Sequence, residues 1–551
     1  MADVAAPAPA PAARGKWLPM PFIALGVAMI IVDGTIVNVA IPSIIKDIGL
    51  TTTDAEWVNS IYALVFASLL LITGRLGDIF GRRNLFAIGT VIFVVASAVA
   101  AVAPNPGILI LGRFLQGIGG AMILPNSLST VNALYQGKDR NIAFGIWGAT
   151  IGGTAALGPL LGGWLTTSFS WRWAFLINLI FGPIIIFGLI KYVRNTYDPR
   201  AKRGFDPFGT VLSIAALGSL IFALIEGQNY GWWTPKEGEL SFFGINWTWN
   251  IAPSGVAFII SAVSAILFIV IERRRARLGK IVLLDFVLFR IRSFSMGNVA
   301  ALIVQLGEFG LLFVLPLFLS SVLGYSALTI GVVLLALAMG AFFAGPLAGQ
   351  LAAKFGGRPI VRVGMVLEVI GILGISFTVS PTTTGWALAP WLFIYGLGVG
   401  FATAQLTSVI LVDVPVEESG QGSAVQSTSR QIGAALGTAI LGAVLVTSLA
   451  NQATKRFLTL GLSDADASKL AHEITRAPSE VFPQLAHMAN GPQLLNAAGE
   501  AFATATKYVG IVAASFVFMG LIATLLLPRD VGGKEPSTPS AQPGPGVEAA
   551  T

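Results

Sequence analysis

The sequence predicts an all-α polytopic membrane protein of fourteen transmembrane helices, two six-helix bundles plus two additional helices. Three observations predict it. Hydrophobic residues make up 55% of the 551 positions and charged residues 11%, against about 25% charged in a soluble domain. The chain holds fourteen apolar stretches, each near the ~20 residues that cross ~30 Å of hydrocarbon. Its second half repeats features of the first at a fixed offset, the mark of two structural repeats around a central pathway.

The first six stretches lie near 19 to 44, 56 to 77, 85 to 103, 108 to 132, 141 to 166 and 173 to 193. Two more fall near 207 to 226 and 252 to 271. The last six fall near 295 to 320, 326 to 350, 359 to 379, 387 to 411, 424 to 449 and 507 to 527. Between the second and third stretches, Gly74, Gly77 and Gly81 permit a sharp turn, while Asp78, Arg82 and Arg83 place opposite charges at adjoining helix ends. Moved on by 275 residues, Gly74, Leu76, Phe80, Gly81 and Arg83 recur as Gly349, Leu351, Phe355, Gly356 and Arg358, with Ala353 in place of Asp78. The same shift carries Asp33 onto Glu308. Ala155 to Gly158 recurs as Ala434 to Gly437, and Gly117 and Gly119 as Gly396 and Gly398, at an offset of 279.

The expected organisation is a disordered N-terminus (1–17), a first six-helix bundle (18–204), an inserted helix pair (205–280), a second bundle (281–527) and a disordered tail (528–551). Within the second bundle, residues 451–505 form a loop outside the membrane, where Ser463 with Asp464 and Asp466 starts an amphipathic helix. Most of the 34 Lys and Arg fall in loops on one side, with Arg113 taken as the one basic residue inside a span. That side is therefore read as cytoplasmic and holds both termini. Most tryptophans, including Trp57, Trp164, Trp171, Trp173, Trp232 and Trp386, fall at the opposite ends of spans, as an interfacial belt does.

Several chemistries are excluded at this level. The chain has no Cys and only His472 and His487, so thiolate metal sites and Cys nucleophiles are absent and intramembrane proton chemistry must run on carboxylates. It contains no P-loop and no nucleophile elbow. No enzymatic activity and no cofactor is expected. The net charge of +7 belongs to short loops that set topology, so no nucleic-acid partner is expected.

The motifs also resemble a known family. The segment from Val32 through Asp33, Gly34, Thr35 and Asn38 to Pro42 resembles the helix 1 signature of the fourteen-helix drug:proton antiporters, within the major facilitator superfamily. Gly74 to Arg83 is similar to the superfamily loop between helices 2 and 3. Arg113, Gln116, Gly117, Gly119 and Gly120 match its helix 4 motif. Gly145, Gly158, Pro159, Gly162 and Gly163 are similar to the helix 5 antiporter motif, with Thr154 where a glycine is usual. Trp171, Arg172 and Trp173, leading to Ile177 and Asn178, also look like this family. The resemblance implies alternating access by two bundles and export coupled to proton entry.

A carboxylate in a bilayer costs about 2.5 to 3.5 kcal/mol on insertion scales, so each intramembrane acid invites a function. Asp33 is the leading proton or substrate site, with Arg113 at similar depth as its partner or modulator. A permanently paired structural couple is the alternative. Glu308, at the equivalent repeat position, is the second acid of the cavity. Glu368 is a further candidate, although the resemblance places its helix at the periphery, and Glu226 at the end of its span reads as a solvated interfacial acid. Asp78, with Arg82, Arg83, Gly74 and Gly81, is either a solvated turn or a latch that closes the cytoplasmic face against the other half. Gly145 to Gly163 permit close helix packing, and Pro159 can kink its helix; the resemblance adds a role in preventing leak. Asn38, Tyr62, Gln116, Asn126, Gln305 and Gln405 are polar groups able to face a substrate cavity.

The expected function is proton-coupled export of amphipathic, cationic compounds by a chain acting as a monomer in a bacterial cytoplasmic membrane. The partners are the small substrate, protons and the bilayer. Acids outnumber bases inside the spans, which favours cations. The alternative is an exporter dedicated to one endogenous metabolite, such as a lipid, siderophore or amino acid.

Overall fold

The computed structural model describes residues 15–199, 204, 206–236, 241–242, 245–488 and 490–526. The termini expected to be disordered lie outside these, apart from residues 15–17. The first six spans are α1 (Pro19–Ile48), α2 (Thr52–Phe80), α3 (Arg82–Ala101), α4 (Pro106–Leu134), α5 (Gly137–Ser168) and α6 (Trp173–Tyr192). Next come α7 (Pro207–Tyr230) and α8 (Pro253–Arg277), then α9 (Arg292–Ser321), α10 (Ala327–Phe355), α11 (Gly357–Thr378), α12 (Gly385–Ile410) and α13 (Ser419–Thr459). The chain ends with α14 (Asp464–Arg476), α15 (Pro478–Leu485) and α16 (Gly491–Ala523). Thirteen described helices are long and apolar enough to cross a membrane, and α5 makes fourteen when its two bent parts count as one span. A two-residue hairpin, Ser241–Phe242 against Ile245–Asn246, is the departure from an all-α chain.

Local chemistry explains the breaks. The turn from α2 to α3 passes through Gly81 at φ +102°, and the equivalent turn from α10 to α11 passes through Gly356 at φ +87°. Both conformations suit a residue without Cβ, so the repeat read in the sequence is also a repeat of backbone geometry. Packing repeats as well. A Cβ on Gly117 would strike the Tyr62 carbonyl of α2, and one on Gly119 the Gly89 carbonyl of α3. Their counterparts Gly396 and Gly398 press likewise on the Leu337 carbonyl of α10 and the Gly364 carbonyl of α11. In α5 the axis bends by 42° between Ala155 and Leu157. The Pro159 ring cannot donate to the Ala155 carbonyl, which removes the bond that would keep the helix straight there.

The halves meet along two seams. On one, α5 lies along α10: Gly145 sits against Gly345 and Gly349, and Gly163 against Leu328. On the other, α2 approaches α13, where a Cβ on Gly74 would strike the Gly420 carbonyl and Ala424. The inserted pair covers this second seam. Ser261 of α8 donates to the Ala216 carbonyl of α7 at 2.8 Å, while the Phe222 ring of α7 stacks on Trp57 of α2 at 6.3 Å. Toward the other half, Gln228 of α7 donates to the Ala439 carbonyl of α13 at 3.5 Å.

The region 451–505 differs from a simple loop. With 41 residues, α13 runs past any bilayer, and α16 has 33. Together with α14 and α15 they bury Phe457, Leu470, Ile474, Phe482 and Phe502 in a helical cap. Ser463 caps α14 by accepting the Asp466 amide at 3.1 Å, as its spacing to the acid predicts.

Candidate functional site

Five helices of the first half converge on Asp33, which is fully buried. Its Oδ2 accepts from Arg113 Nη1 of α4 at 2.5 Å. Its Oδ1 accepts from Gln116 Nε2 of α4 and from Asn178 Nδ2 of α6, both at 2.8 Å. Ser97 of α3 accepts from the same two amides at 2.8 and 3.1 Å. Arg113 is held in turn by the Val58 carbonyl of α2 at 3.0 Å and by Gln116 Oε1 at 2.8 Å, with the Tyr62 ring 4.3 Å from its guanidinium carbon. The Tyr62 hydroxyl reaches back to the Ile30 carbonyl at 3.3 Å. None of these residues has a fully buried side-chain polar atom without a partner. Such satisfaction is what allows a buried ion pair to offset its desolvation.

The sequence set Asp33 beside Arg113; Gln116 and Tyr62, expected to face a substrate cavity, are instead bonded into this buried network, while Asn178 had no role and Ser97 none at all. Asn178 stood in a motif without an assigned partner. Ser97 carries no signal, since an intrahelical serine commonly bonds back along its own helix, as it does here to the Phe93 carbonyl at 2.7 Å.

The second half contains a different cluster. Glu308 of α9 is 3% exposed and accepts from Gln305 one turn earlier. Thr403 approaches it, yet Glu308 Oε1 has no partner with hydrogen-bond geometry. Tyr395 of α12 donates to the Glu308 backbone carbonyl at 3.3 Å rather than to its carboxyl. Glu368 of α11 is fully buried against Gly398, and neither of its oxygens has a partner. A peripheral helix therefore turns its acid inward, because glycines at 364 and 398 let α11 and α12 approach closely. Arg430 of α13 exerts its charge on both carboxyls, but is absent from the ion pairs within 4.0 Å among the described residues. This corrects the expectation that Arg113 is the one base inside a span. Arg430 falls inside the stretch read near 424 to 449 but was counted with the polar run before it, Ser419 to Ser429.

Other expectations change too. Glu226 is 2% exposed rather than solvated, because α7 packs on α2; it accepts from Asn229 at 3.0 Å, and Asn229 also donates to Glu56 at 3.1 Å. Asn38 is exposed and accepts from Asn59 of α2 at 2.8 Å. Asn126 serves packing within the first half, donating to the Thr73 and Met122 carbonyls at 3.2 and 2.8 Å. Gln405 donates to the Asn141 carbonyl of α5 at 3.3 Å, so it stitches the halves together rather than facing a cavity.

Asp78, at the end of α2, is fully buried. It accepts from the amides of Gly420 at 2.9 Å and Gln421 at 3.0 Å, the second and third residues of α13. The first amides of a helix lack internal partners and carry the positive end of its dipole, so a carboxylate is stabilised there. Arg82 pairs with Asp78 at 2.8 Å and donates to the carbonyls of Val416 at 2.7 Å and Glu417 at 3.0 Å. Arg83 takes no part across the halves; it donates to Asn84 at 3.0 Å and to the Val193 carbonyl at 3.5 Å. Nearby, Arg140 donates to the Ser408 carbonyl and Ser408 to Asn141, at 3.0 and 2.9 Å. On the face that carries Gly81, the halves are therefore bonded together.

Two six-helix halves joined by polar contacts, each with charge buried inside its membrane helices, have the architecture of a membrane transporter. The profile of the Major Facilitator Superfamily matches residues 23–438, and the chain belongs to that superfamily. It is 33% identical over 463 residues to the probable actinorhodin transporter of Streptomyces coelicolor, covering 82% of this chain and 76% of that one. It is 31% identical to the multidrug efflux pump LfrA of Mycolicibacterium smegmatis, covering 91% of this chain and 94% of the relative. The human organic anion transporter MFSD10 shares the fold, with a TM-score of 0.57 at 12% identity over 91% of this chain and 99% of that one.

Proposed function

We propose that the protein exports amphipathic, cationic small molecules in exchange for protons by alternating access. The observation that carries this reading is the second-half cluster, where Glu308 and Glu368 are buried and three of their carboxyl oxygens have no donor. Such a site is short of positive charge. A proton or a substrate cation supplies it, and competition between the two couples their movements. Asp33 contributes differently. It can accept a proton only when Arg113 draws away, so its protonation is tied to rearrangement of five helices.

In this scheme the Gly81 face is cytoplasmic, as its basic loops support, and both termini lie on that side. The Asp78 contacts act as the latch that keeps the cytoplasmic face closed while the opposite face releases substrate. The kinked α5, lying glycine to glycine on α10, keeps the first seam sealed against proton leak. The chain works as a monomer in a bacterial cytoplasmic membrane. Relatives named as multidrug pumps favour a broad substrate range over a single endogenous metabolite.

A panel of lipophilic cations and neutral amphiphiles, added to inside-out vesicles holding a preset proton gradient, tests the proposal. Several cations are expected to release the gradient. If no compound moves protons although the protein is folded and inserted, the broad exporter reading fails and the dedicated exporter replaces it.

A further inference from the structure

The inserted pair α7–α8 has no counterpart in the repeat, and its inner end is wired to the latch. Glu272, in the last turns of α8, is fully buried. Its Oε2 accepts two successive amides of the segment that leads to α9, Leu283 at 2.7 Å and Leu284 at 3.0 Å. Arg275, one turn on, donates to the Ile281 carbonyl at 3.1 Å and pairs with Asp206, the N-cap of α7, at 3.2 Å. The segment is thereby held on three sides, with Leu283, Leu284 and Leu288 buried beneath it. The next amide, that of Asp285, donates to Gln421 Oε1 at 2.8 Å. Gln421 is also the residue whose backbone amide binds Asp78 Oδ2.

We infer that Glu272 is a positioning residue for the latch: it fixes residues 283–285 so that the Asp285 amide holds Gln421, and through it the first turn of α13, against Asp78. The inserted pair then acts as a strut across the second seam. When the Gly81 face opens, α13 must leave either Asp78 or the 283–285 segment, so the strut biases the closed state. A carboxylate suits this role because one oxygen accepts two amides at once, and a buried amide left without a partner is costly.

The inference rests on the latch reading, and the test separates the two. Because the chain has no Cys, a spin label can be placed at each of Lys191→Cys and Lys354→Cys, exposed positions on the two halves, and the distance distribution measured by pulsed electron resonance. Glu272→Ala is expected to raise the ratio of open to closed Gly81 face about fivefold or more. Glu272→Gln, which keeps an oxygen acceptor, should restore the wild-type distribution. Gln421→Ala, which removes the Asp285 acceptor but keeps the backbone bond to Asp78, should act like Glu272→Ala and stands in for it if that variant does not fold. In an Asp78→Asn background, Glu272→Ala should add nothing. An unchanged distribution in Glu272→Ala, equal shifts in the Ala and Gln variants, or an undiminished shift in the Asp78→Asn background overturns the strut. An Asp78→Asn protein that stays closed overturns the latch itself.

Discussion

The two halves carry acids at equivalent repeat positions and treat them in opposite ways. Asp33 is enclosed by three side-chain donors on two helices, with a guanidinium that is itself held by a carbonyl, an amide oxygen and a ring. Glu308 has one donor from its own helix, and beside it Glu368 has none. A fully bonded buried pair resists change, because breaking it strands a charge. A carboxyl without donors is better accommodated neutral than ionised. In the proposed scheme the first half supplies conformational linkage and the second the exchanging proton.

The largest effect that can break this comparison is at Asp33. Asp33→Ala strands the Arg113 guanidinium, and a loss of about 3 to 5 kcal/mol is expected, seen as a marked fall in the thermal midpoint of the purified protein. Arg113→Lys should fall nearly as far, since a lysine cannot serve the Val58 carbonyl, Asp33 and Gln116 together. A variant as stable as wild type in either case would mean that the network contributes little. Next in size is Asp78→Asn, expected to weaken the Gly81-face contacts by about 1 to 3 kcal/mol, read as faster modification of a cysteine introduced beneath that face. The second half should respond in the other direction. Glu368→Met replaces a carboxyl without donors by an apolar chain of similar length, so stability should equal the wild type or exceed it by up to about 1 kcal/mol. A large loss there would show that Glu368 is held by bonds comparable to those of Asp33. The smallest change is Tyr62→Phe, which keeps the ring over Arg113 and loses one hydroxyl bond of about 0.5 to 1.5 kcal/mol.

Much of the fold was legible because membrane helices write themselves as apolar runs and the repeat fixed their order. The turn glycines at 81 and 356 and the Ser463 cap were legible for the same reason, each being a residue type that local geometry demands. The site was legible where a charge interrupts an apolar run, as at Asp33, Arg113 and Glu308. It was not legible where partners come from distant helices as small polar residues, as with Ser97 and Asn178. Arg430, although inside the span read near 424 to 449, escaped because it was counted with the polar start of α13. Glu226 was misread as solvated because hydropathy describes one helix and not the neighbour packed on it.

The most direct test of the account compares wild type, Asp33→Asn and Glu308→Gln for substrate-driven proton release in inside-out vesicles, using the lipophilic cations active on the wild type. The account predicts release in wild type and none in either variant, with Glu308→Gln as stable as wild type and Asp33→Asn less so. Release at the wild-type rate by a folded and inserted Asp33→Asn would reduce that network to a structural couple. The same result from Glu308→Gln would contradict the claim that the second-half carboxyl carries the exchanging proton.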